Sequence, residues 1–302
     1  MWYEQTRKKR ILPAQVVDFF GGWENDMTLM TVLAREYDIR MVEHPSVIFC
    51  HQFGEEHKKY DCPKIFSVGE PWEIQPEQYD FRVTFDYDET ETSVRFPHYG
   101  YYFQGTSLCK NLAADDVKKI LGKKTKFCNF VYSNGWPQER IRFMEMLSKY
   151  KTVDCCGHLR NNTGTTVPGR HSGPEKIRFL SDYKFTIAFE NSVQVGYTSE
   201  KICAPMIAHS LPIYYGNPEI HRDFNPESFV NVHDCHSFEE AVDRVVELDQ
   251  NDDLYLQTMV KPWFHHDIPT PYVDTHLLLS RLVRWIEEHH LSVEPDICHH
   301  HF

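Results

Sequence analysis

The stretch YKFTIAFENSVQVGYTSEKICAPMIAHSLPIYYG, residues 183–216, decides the fold class of this chain. Lys184–Phe189 is an apolar run of β-branched and aromatic character, which predicts a strand. Thr198 and Ser199 supply hydroxyl groups of the kind that cap helices, and apolar residues follow them at helical spacing. Leu211–Tyr215 predicts a second, short buried strand. A strand, a polar loop, a helix and a strand in this order indicate a parallel α/β sheet.

Most of the polar side chains of this stretch lie between the first strand and the helix. In parallel α/β sheets, ligands bind at the carboxyl ends of the strands and the starts of the helices. Lys201 is in the predicted first helical turn, where backbone N–H groups also attract an anion. Glu200 can accept two ribose hydroxyls, although the helix dipole alone also stabilises a carboxylate at this position. Glu190 has two interpretations as well, as a group that faces a bound sugar or as a buried cap.

Alternating strands and helices in two sets predict two doubly wound, Rossmann-like domains that face a cleft. The first domain is expected at residues 1–126, with a helix from Asn25 or Asp26 through Tyr37. The second is expected at residues 127–275, and residues 276–302 predict a helix and a tail. The charged, lysine-rich segment 111–126 is expected to connect the two domains.

Composition limits the classes of protein and partner. At 302 residues the chain is long enough for two domains, and 41% hydrophobic residues suffice for real cores. The formal net charge of -12 argues against nucleic acid or an anionic membrane surface as the main partner. An anionic ligand such as a nucleoside diphosphate must therefore be held by local cations.

Segments that direct a protein to a membrane or out of the cell are not recognisable in the sequence. No stretch approaches the ~20 consecutive apolar residues of a transmembrane helix, which leaves only peripheral association with a membrane. The N-terminus has basic residues but no apolar core of a signal peptide. Nine cysteines without a CxxC pair indicate reduced, mostly buried thiols. These features together predict a cytoplasmic protein.

The motifs FxxAFENS, GYTSEK and LPIYYG resemble the donor-binding signature of glycosyltransferase family 10, the α-1,3/1,4-fucosyltransferases that use GDP-fucose. Weaker similarity in IFSVGEPWE, PHYGYYF and NFVYSNGWPQERIRFMEML extends the resemblance over about Val16–Phe264. The resemblance implies the GT-B architecture, in which the last helix often packs back on the first domain. Since family members of the animal Golgi carry a membrane anchor, the chain is expected either to be a soluble enzyme of bacterial type or to be one whose anchor was removed.

The reaction implied by this resemblance is inverting transfer of L-fucose from GDP-β-L-fucose to an N-acetyllactosamine-type glycan. The expected position is O3 of GlcNAc in Galβ1-4GlcNAc, which gives a Lewis-x type product. An α-1,4 linkage or another nucleotide sugar are alternatives. A sugar-binding protein without catalysis is an alternative from a different class.

The resemblance aligns Arg140 and Lys201 with the pyrophosphate-binding cations of the family, which would stabilise the leaving GDP. Arginine suits bidentate contact with phosphate, and the neighbouring Arg142 is the alternative to Arg140. The predicted donor-binding residues are Arg140, Glu190, Asn191, Tyr197, Glu200 and Lys201.

The predicted general base lies in the first domain. Glu70 follows the strand predicted at residues 65–68, and the resemblance places it at the carboxylate that the family is thought to use as base. Burial against Pro71 and Trp72 is expected to raise its pKa. Glu73 is the alternative base. Trp72 and Glu73 are otherwise predicted, with Trp23, to bind the acceptor.

A metal is not expected to be required. Asp86 and Asp88 form a DxD pattern, which binds Mn²⁺ or Mg²⁺ with a diphosphate in other glycosyltransferases. The donor signature lies in the second domain, however, so a solvated loop is the favoured interpretation. With Arg140 and Lys201 as side-chain cations, Mn²⁺ or Mg²⁺ is predicted to act only as a stimulant.

Overall fold

The computed structural model of the protein describes residues 9–19, 27–71, 76–103, 110, 112–167 and 173–294. The predicted acceptor residues Trp23, Trp72 and Glu73 lie outside these described residues.

The described residues contain eleven strands and nine α-helices, which alternate strictly between residues 126 and 215. The strands are β1 (Arg10–Val17), β2 (Tyr37–Met41), β3 (Val47–Cys50), β4 (Lys64–Ser67), β5 (Phe81–Thr84), β6 (Ser93–Arg95), β7 (Lys126–Phe130), β8 (Val153–Cys155), β9 (Tyr183–Phe189), β10 (Leu211–Tyr215) and β11 (Val230–Asn231). The helices are α1 (Met27–Leu33), α2 (Tyr99–Tyr102), α3 (Ala114–Leu121), α4 (Gln138–Leu147), α5 (Pro174–Leu180), α6 (Glu200–Ile207), α7 (Phe238–Gln250), α8 (Asp252–Met259) and α9 (Thr275–Glu288). Short 3₁₀ turns connect several of these elements.

The chain divides into two compact units, each built around one parallel sheet. The first unit contains Met1–Phe96 and Asp274–Phe302, and the second contains Pro97–Val273. The strand orders are β2-β1-β3-β4-β5-β6 in the first unit and β11-β10-β9-β7-β8 in the second. All the pairings between these strands are parallel. The prediction of two doubly wound, Rossmann-like α/β sheets is confirmed.

The first sheet has its most apolar strand in the middle, where both faces are covered. All four residues of β3 are buried, which explains their uninterrupted apolar run. The last helix, α9, belongs to this unit, and its Trp285 packs on Phe81 of β5 with ring centroids 5.4 Å apart. Backbone hydrogen bonds between Ile11 and Val293 join the residues after α9 to β1.

One predicted helix of the first unit is wrong in extent. The helix expected to run through Tyr37 ends at Leu33, and Tyr37 begins the edge strand β2. The strand was missed because YDIRM is largely polar and mostly exposed, as edge strands often are.

The second sheet places β9 at its centre, between β10 and β7. Leu211–Phe185 and Tyr215–Phe189 are register partners, so β9 and β10 end side by side. Six of the seven residues of β9 are buried, and the apolar side chains of both strands pack in the core of this unit. This arrangement brings the loops that follow β9 and β10 to one edge of the sheet.

The boundary between the units differs from the one predicted at residue 126. The expected connecting segment contains α3, whose Val117 is fully buried in the core of the second unit. Its lysines and aspartates cover the exposed side of a short amphipathic helix. Because charged residues dominate this short segment, the sequence pattern indicates a connection and not a helix.

The described residues also bear on thiols and membrane spans. Seven cysteines lie in this part of the chain; all are free, and five of them are buried. Among the described helices, none has both the length and the apolar character that a membrane span requires.

Candidate active site

The carboxyl edge of the second sheet collects most of the predicted donor-binding residues. Arg140 lies in the first turn of α4, which follows β7, and is 1% exposed. Its Nη2 donates to the backbone oxygen of Glu190 at 2.5 Å and to Oδ1 of Asn191 at 2.9 Å. Its Nη1 donates to the backbone oxygen of Asn134 at 3.4 Å. Arg140 therefore ties the loop after β7 to the end of β9.

Tyr132 supports the Arg140 guanidinium from one side. The guanidinium carbon lies 4.3 Å from the centre of the Tyr132 ring. The Tyr132 hydroxyl accepts a hydrogen bond from the Phe189 N–H at 2.7 Å and donates to the backbone oxygen of Ile187 at 2.9 Å. Burial raises the pKa of Tyr132 to about 12, so the hydroxyl stays neutral. Arg142, the alternative cation, is exposed and pairs with Glu239 at 3.6 Å.

Arg140 retains one donor that no group in the described residues accepts. Its Nε is buried and has no hydrogen-bond partner there. An unpaired buried donor is costly, and an anion is the ligand that a guanidinium N–H binds best. Arg140 therefore has a structural role at this edge and keeps one guanidinium donor without a protein partner among the described residues.

Glu190 follows β9 directly and is almost completely buried. Its Oε1 accepts the backbone N–H of Ser199 at 2.7 Å, and its Oε2 accepts the Ser199 hydroxyl at 2.6 Å. The carboxylate thus binds the residue that caps α6, whose own Oγ accepts the Lys201 N–H at 3.5 Å. Of its two interpretations, the structure shows the buried cap.

Gly216 makes room for this carboxylate. A Cβ atom at position 216 would lie 2.4 Å from Cγ of Glu190, which is closer than side-chain carbons pack. The glycine after β10 thus permits the close approach of the Glu190 side chain.

Lys201 lies between two carboxylates in the first turn of α6. Its Nζ donates to Ser199 Oγ at 2.9 Å and lies 3.3 Å from Glu190 Oε2 and 3.8 Å from Glu200 Oε1. The Lys201 ammonium therefore lies beside the N-terminus of α6, where the helix dipole adds to its positive charge.

The Glu200 carboxylate is a hydrogen-bond acceptor at this edge of the sheet. Burial would raise its pKa, but the Lys201 charge and the His98 contact outweigh burial and hold its pKa well below the ordinary value of 4.5. Its Oε2 lies 3.5 Å from Nδ1 of His98. A carboxylate that remains ionised can accept the two hydroxyls of a ribose.

Two residues around Glu200 were missed by the sequence analysis. His98 precedes α2, about a hundred positions before Glu200, within the quoted motif PHYGYYF. Lys176 in α5 is close enough for its charge to affect Glu200, and burial lowers the pKa of Lys176. The sequence around Lys176 contains no signal for this placement.

Tyr197 and Asn191 contribute differently to the loop between β9 and α6. Tyr197 is 1% exposed, so its ring belongs to the interior of the second unit. Asn217, which sequence reasoning did not identify, accepts the Gly196 N–H at 2.9 Å and donates to Thr198 Oγ1 at 3.2 Å. The loop is thus held on both sides, by Arg140 through Asn191 and by Asn217.

Glu70, the predicted base, lies after β4 at the carboxyl edge of the first sheet. Its side chain is exposed, so the expected burial against Pro71 is wrong. Its backbone oxygen accepts a hydrogen bond from Gln52 Nε2 at 3.3 Å. An exposed carboxylate at a strand end is accessible to an acceptor hydroxyl.

The DxD pair lies in a loop of the first unit, between β5 and β6. Burial raises the pKa of Asp86. The ring of Tyr87 between the two aspartates packs against the Arg95 guanidinium at 3.9 Å. Within the described ranges, no group of three His, Cys, Asp or Glu side chains could hold a metal ion.

Comparison with known proteins identifies the family. Residues 121–266 match the family model "Glycosyltransferase family 10 (fucosyltransferase) C-term", and residues 14–102 match the N-terminal domain of α-(1,3)-fucosyltransferase FucT. The α-(1,3)-fucosyltransferase FucT of Helicobacter pylori is 29% identical over 289 residues, which are 82% of this chain. The chain spans 59% of the length of that relative.

Further relatives and solved structures agree. The putative fucosyltransferase R654 of Acanthamoeba polyphaga mimivirus is 34% identical over 46% of this chain and 24% of its own length. A crystal structure of an α1,3-fucosyltransferase has the same fold, with a TM-score of 0.78, 24% identity, and coverage of 95% of this chain and 93% of that one. The same holds for an α1,3-fucosyltransferase structure with GDP-fucose, with a TM-score of 0.74, 24% identity and coverage of 95% and 94%. With its two Rossmann-like sheets of the GT-B type and both family domains matched, the chain belongs to glycosyltransferase family 10, the fucosyltransferase family.

Proposed function

We propose that this protein transfers L-fucose from GDP-β-L-fucose, with inversion, to O3 of GlcNAc in a Galβ1-4GlcNAc unit. The observation that carries the proposal is the cluster at the start of α6. There, Lys201, the helix N-terminus and the ionised Glu200 match the diphosphate and the ribose of a nucleotide sugar. A cytoplasmic location is part of the proposal.

In the proposed donor site, different residues bind different parts of the nucleotide sugar. Glu200 accepts the ribose hydroxyls, while Lys201 and Arg140 take the negative charge that grows on the diphosphate as the bond to fucose breaks. Asn191 is the further proposed contact to the donor, whereas Tyr197, also predicted to bind it, is buried in the interior of the second unit. Side-chain cations thereby perform the charge stabilisation, so no metal is required and Mn²⁺ or Mg²⁺ only stimulates.

In the proposed reaction, Glu70 takes the proton of the acceptor hydroxyl. The hydroxyl oxygen bonds to C1 of fucose, and the bond from C1 to the phosphate oxygen breaks on the opposite face, so that GDP leaves with the electron pair. Transfer of the proton to a positioned base accelerates such steps by about 10²–10⁴-fold. Trp23, Trp72 and Glu73 are the proposed acceptor-binding residues.

The test is a set of parallel assays with GDP-fucose. Lactose, Galβ1-4GlcNAc and Galβ1-3GlcNAc serve as acceptors, and NMR identifies the linkage of each product. We expect fucose at O3 of GlcNAc in Galβ1-4GlcNAc. A product only from Galβ1-3GlcNAc, fucosylated at O4, would replace the proposed linkage with α-1,4.

A blank assay without acceptor separates an enzyme from a binding protein. Slow release of GDP from GDP-fucose in water shows that the donor site is catalytic. Binding of GDP without any transfer or hydrolysis would indicate a sugar-binding protein and refute the proposed activity.

A further inference from the structure

The buried Glu190 carboxylate contacts the Lys201 ammonium, both directly and through Ser199. The exposed fraction of its side chain is 0%, and the side chain of Lys201, 3.3 Å away, is 16% exposed. Ser199 lies between them, because its hydroxyl donates to Glu190 at 2.6 Å and accepts from Lys201 Nζ at 2.9 Å. The three side chains form one connected chain of polar contacts.

This chain of contacts fixes the direction of the lysine. A lysine ammonium has three N–H donors on a flexible stem and binds phosphate as a point charge. Ser199 and Glu190 take up two of its donor directions at short range. Glu200 lies farther from Nζ, at 3.8 Å, than Ser199 and Glu190 do. Exchange of the contact with Glu200 for a phosphate oxygen would therefore disturb the ammonium least.

We infer that Glu190 is a positioning residue for Lys201, and that it holds the ammonium where the leaving diphosphate develops its charge. The inference rests on the proposed function. It also assigns Glu190 no contact with fucose and no role as a base, because the Ser199 N–H, the Ser199 hydroxyl and the Lys201 ammonium surround its two oxygens.

The test is a double-mutant cycle on the rate of transfer. Glu190→Gln keeps the shape of the side chain but offers an amide N–H₂ where an acceptor is needed. We expect it to reduce kcat by ~10- to 100-fold, the scale of a misplaced catalytic group. Because the effect acts through Lys201, Glu190→Gln in a Lys201→Ala background should cause no further loss.

Two additional readouts separate positioning from other roles. The pH dependence of kcat should keep its shape in Glu190→Gln, whereas loss of a base would remove the acidic limb. Gly216→Ala perturbs the same carboxylate from the other side without changing its charge, because its Cβ would meet Glu190 Cγ. We expect its loss of kcat to vanish in the Lys201→Ala background as well, which keeps the test valid if Glu190→Gln does not fold.

The outcomes are distinct. If Glu190→Gln reduced kcat by the same factor in the wild-type and Lys201→Ala backgrounds, the positioning role would be overturned. The fucosyltransferase proposal would remain intact. A wild-type protein that neither transfers nor hydrolyses fucose from GDP-fucose would overturn both. A loss confined to the background that contains Lys201 supports the role.

Discussion

Replacement of Lys201 by methionine should destabilise the second unit strongly at neutral pH. Lys201→Met keeps the unbranched stem of the side chain at nearly its full length and removes the charge. The ammonium lies within 4 Å of both Glu190 and Glu200, whose side chains are 0% and 8% exposed. Without it, two buried carboxylates lose their shared cation. Removal of one partner from a buried ion pair costs about 3–5 kcal/mol, because the remaining charge is uncompensated.

The loss should depend on pH in a defined direction. Lys201 is the largest influence that opposes burial and lowers the pKa of Glu200 below its ordinary value of 4.5. A carboxylate with a lowered pKa in the folded state stabilises the fold above its ordinary pKa, and this contribution is lost as pH falls through the folded pKa. The deficit of Lys201→Met should therefore be largest near pH 7 and shrink on acidification, because Glu200 of the variant, without the lysine charge, takes up its proton at a higher pH than Glu200 of the wild type.

The assay is thermal unfolding of wild type and variant between pH 4 and pH 8, without GDP. A loss of 3–5 kcal/mol corresponds to a decrease in Tm of roughly 6–20 °C for a domain of this size. Lys261→Met is the matched control in the same unit, since Lys261 is 42% exposed and pairs only with the exposed Glu227 among the described salt bridges. Such surface pairs contribute about 0–1 kcal/mol. If Lys201→Met loses no more than Lys261→Met at pH 7, the buried-charge reasoning is refuted.

Three further outcomes follow from the proposed mechanism. Glu70→Gln should reduce kcat by ~10²–10⁴-fold with GDP affinity near that of wild type, and Glu73→Gln should do less; near-full turnover of Glu70→Gln in a linkage assay would move the base elsewhere. GDP should raise Tm and UDP far less, as measured by thermal shift, and Arg140→Ala should lose much of the GDP response; equal stabilisation by UDP would contradict the donor assignment. Transfer activity should survive treatment with EDTA. If EDTA abolished the activity and only a divalent metal restored it, Asp86 and Asp88 would become the candidate metal site in place of the side-chain cations.

The elements that the sequence predicts best are the central strands. Leu211–Tyr215 is predicted with the bounds observed, and β9 begins one residue before its predicted start. Both strands have covered faces on both sides of the sheet, so most of their residues are apolar, with Lys184 and Thr186 as the exceptions in β9. The edge strand β2 and the helix α3 carry charges on their exposed sides, and the same pattern reasoning misses them.

The candidate site is predictable where one loop supplies it. A dozen consecutive positions contain four of the site residues: Glu190, Ser199, Glu200 and Lys201. A strand, a loop and a helix predicted in this order are enough to bring them close together. His98 reaches Glu200 from a distant segment, and its contact depends on tertiary packing that no local pattern encodes. The role of Glu190 is also not readable from sequence, because it depends on which atoms surround the carboxylate.

The composition of the first unit from two separate stretches of chain has a consequence for biosynthesis. Residues of α9 and the segment after it supply partners for β1 and β2: Glu287 pairs with Arg10 and accepts a hydrogen bond from the Tyr37 hydroxyl at 2.5 Å. The second unit, Pro97–Val273, is one continuous stretch of chain, so all of it is synthesised before Asp274 and the residues that follow. The N-terminal stretch, although synthesised first, must wait for Asp274 and the residues beyond it. The first unit can therefore be completed only after the whole second unit has been synthesised, and the apolar faces of β1 and β2 are accessible to chaperones and proteases during that interval.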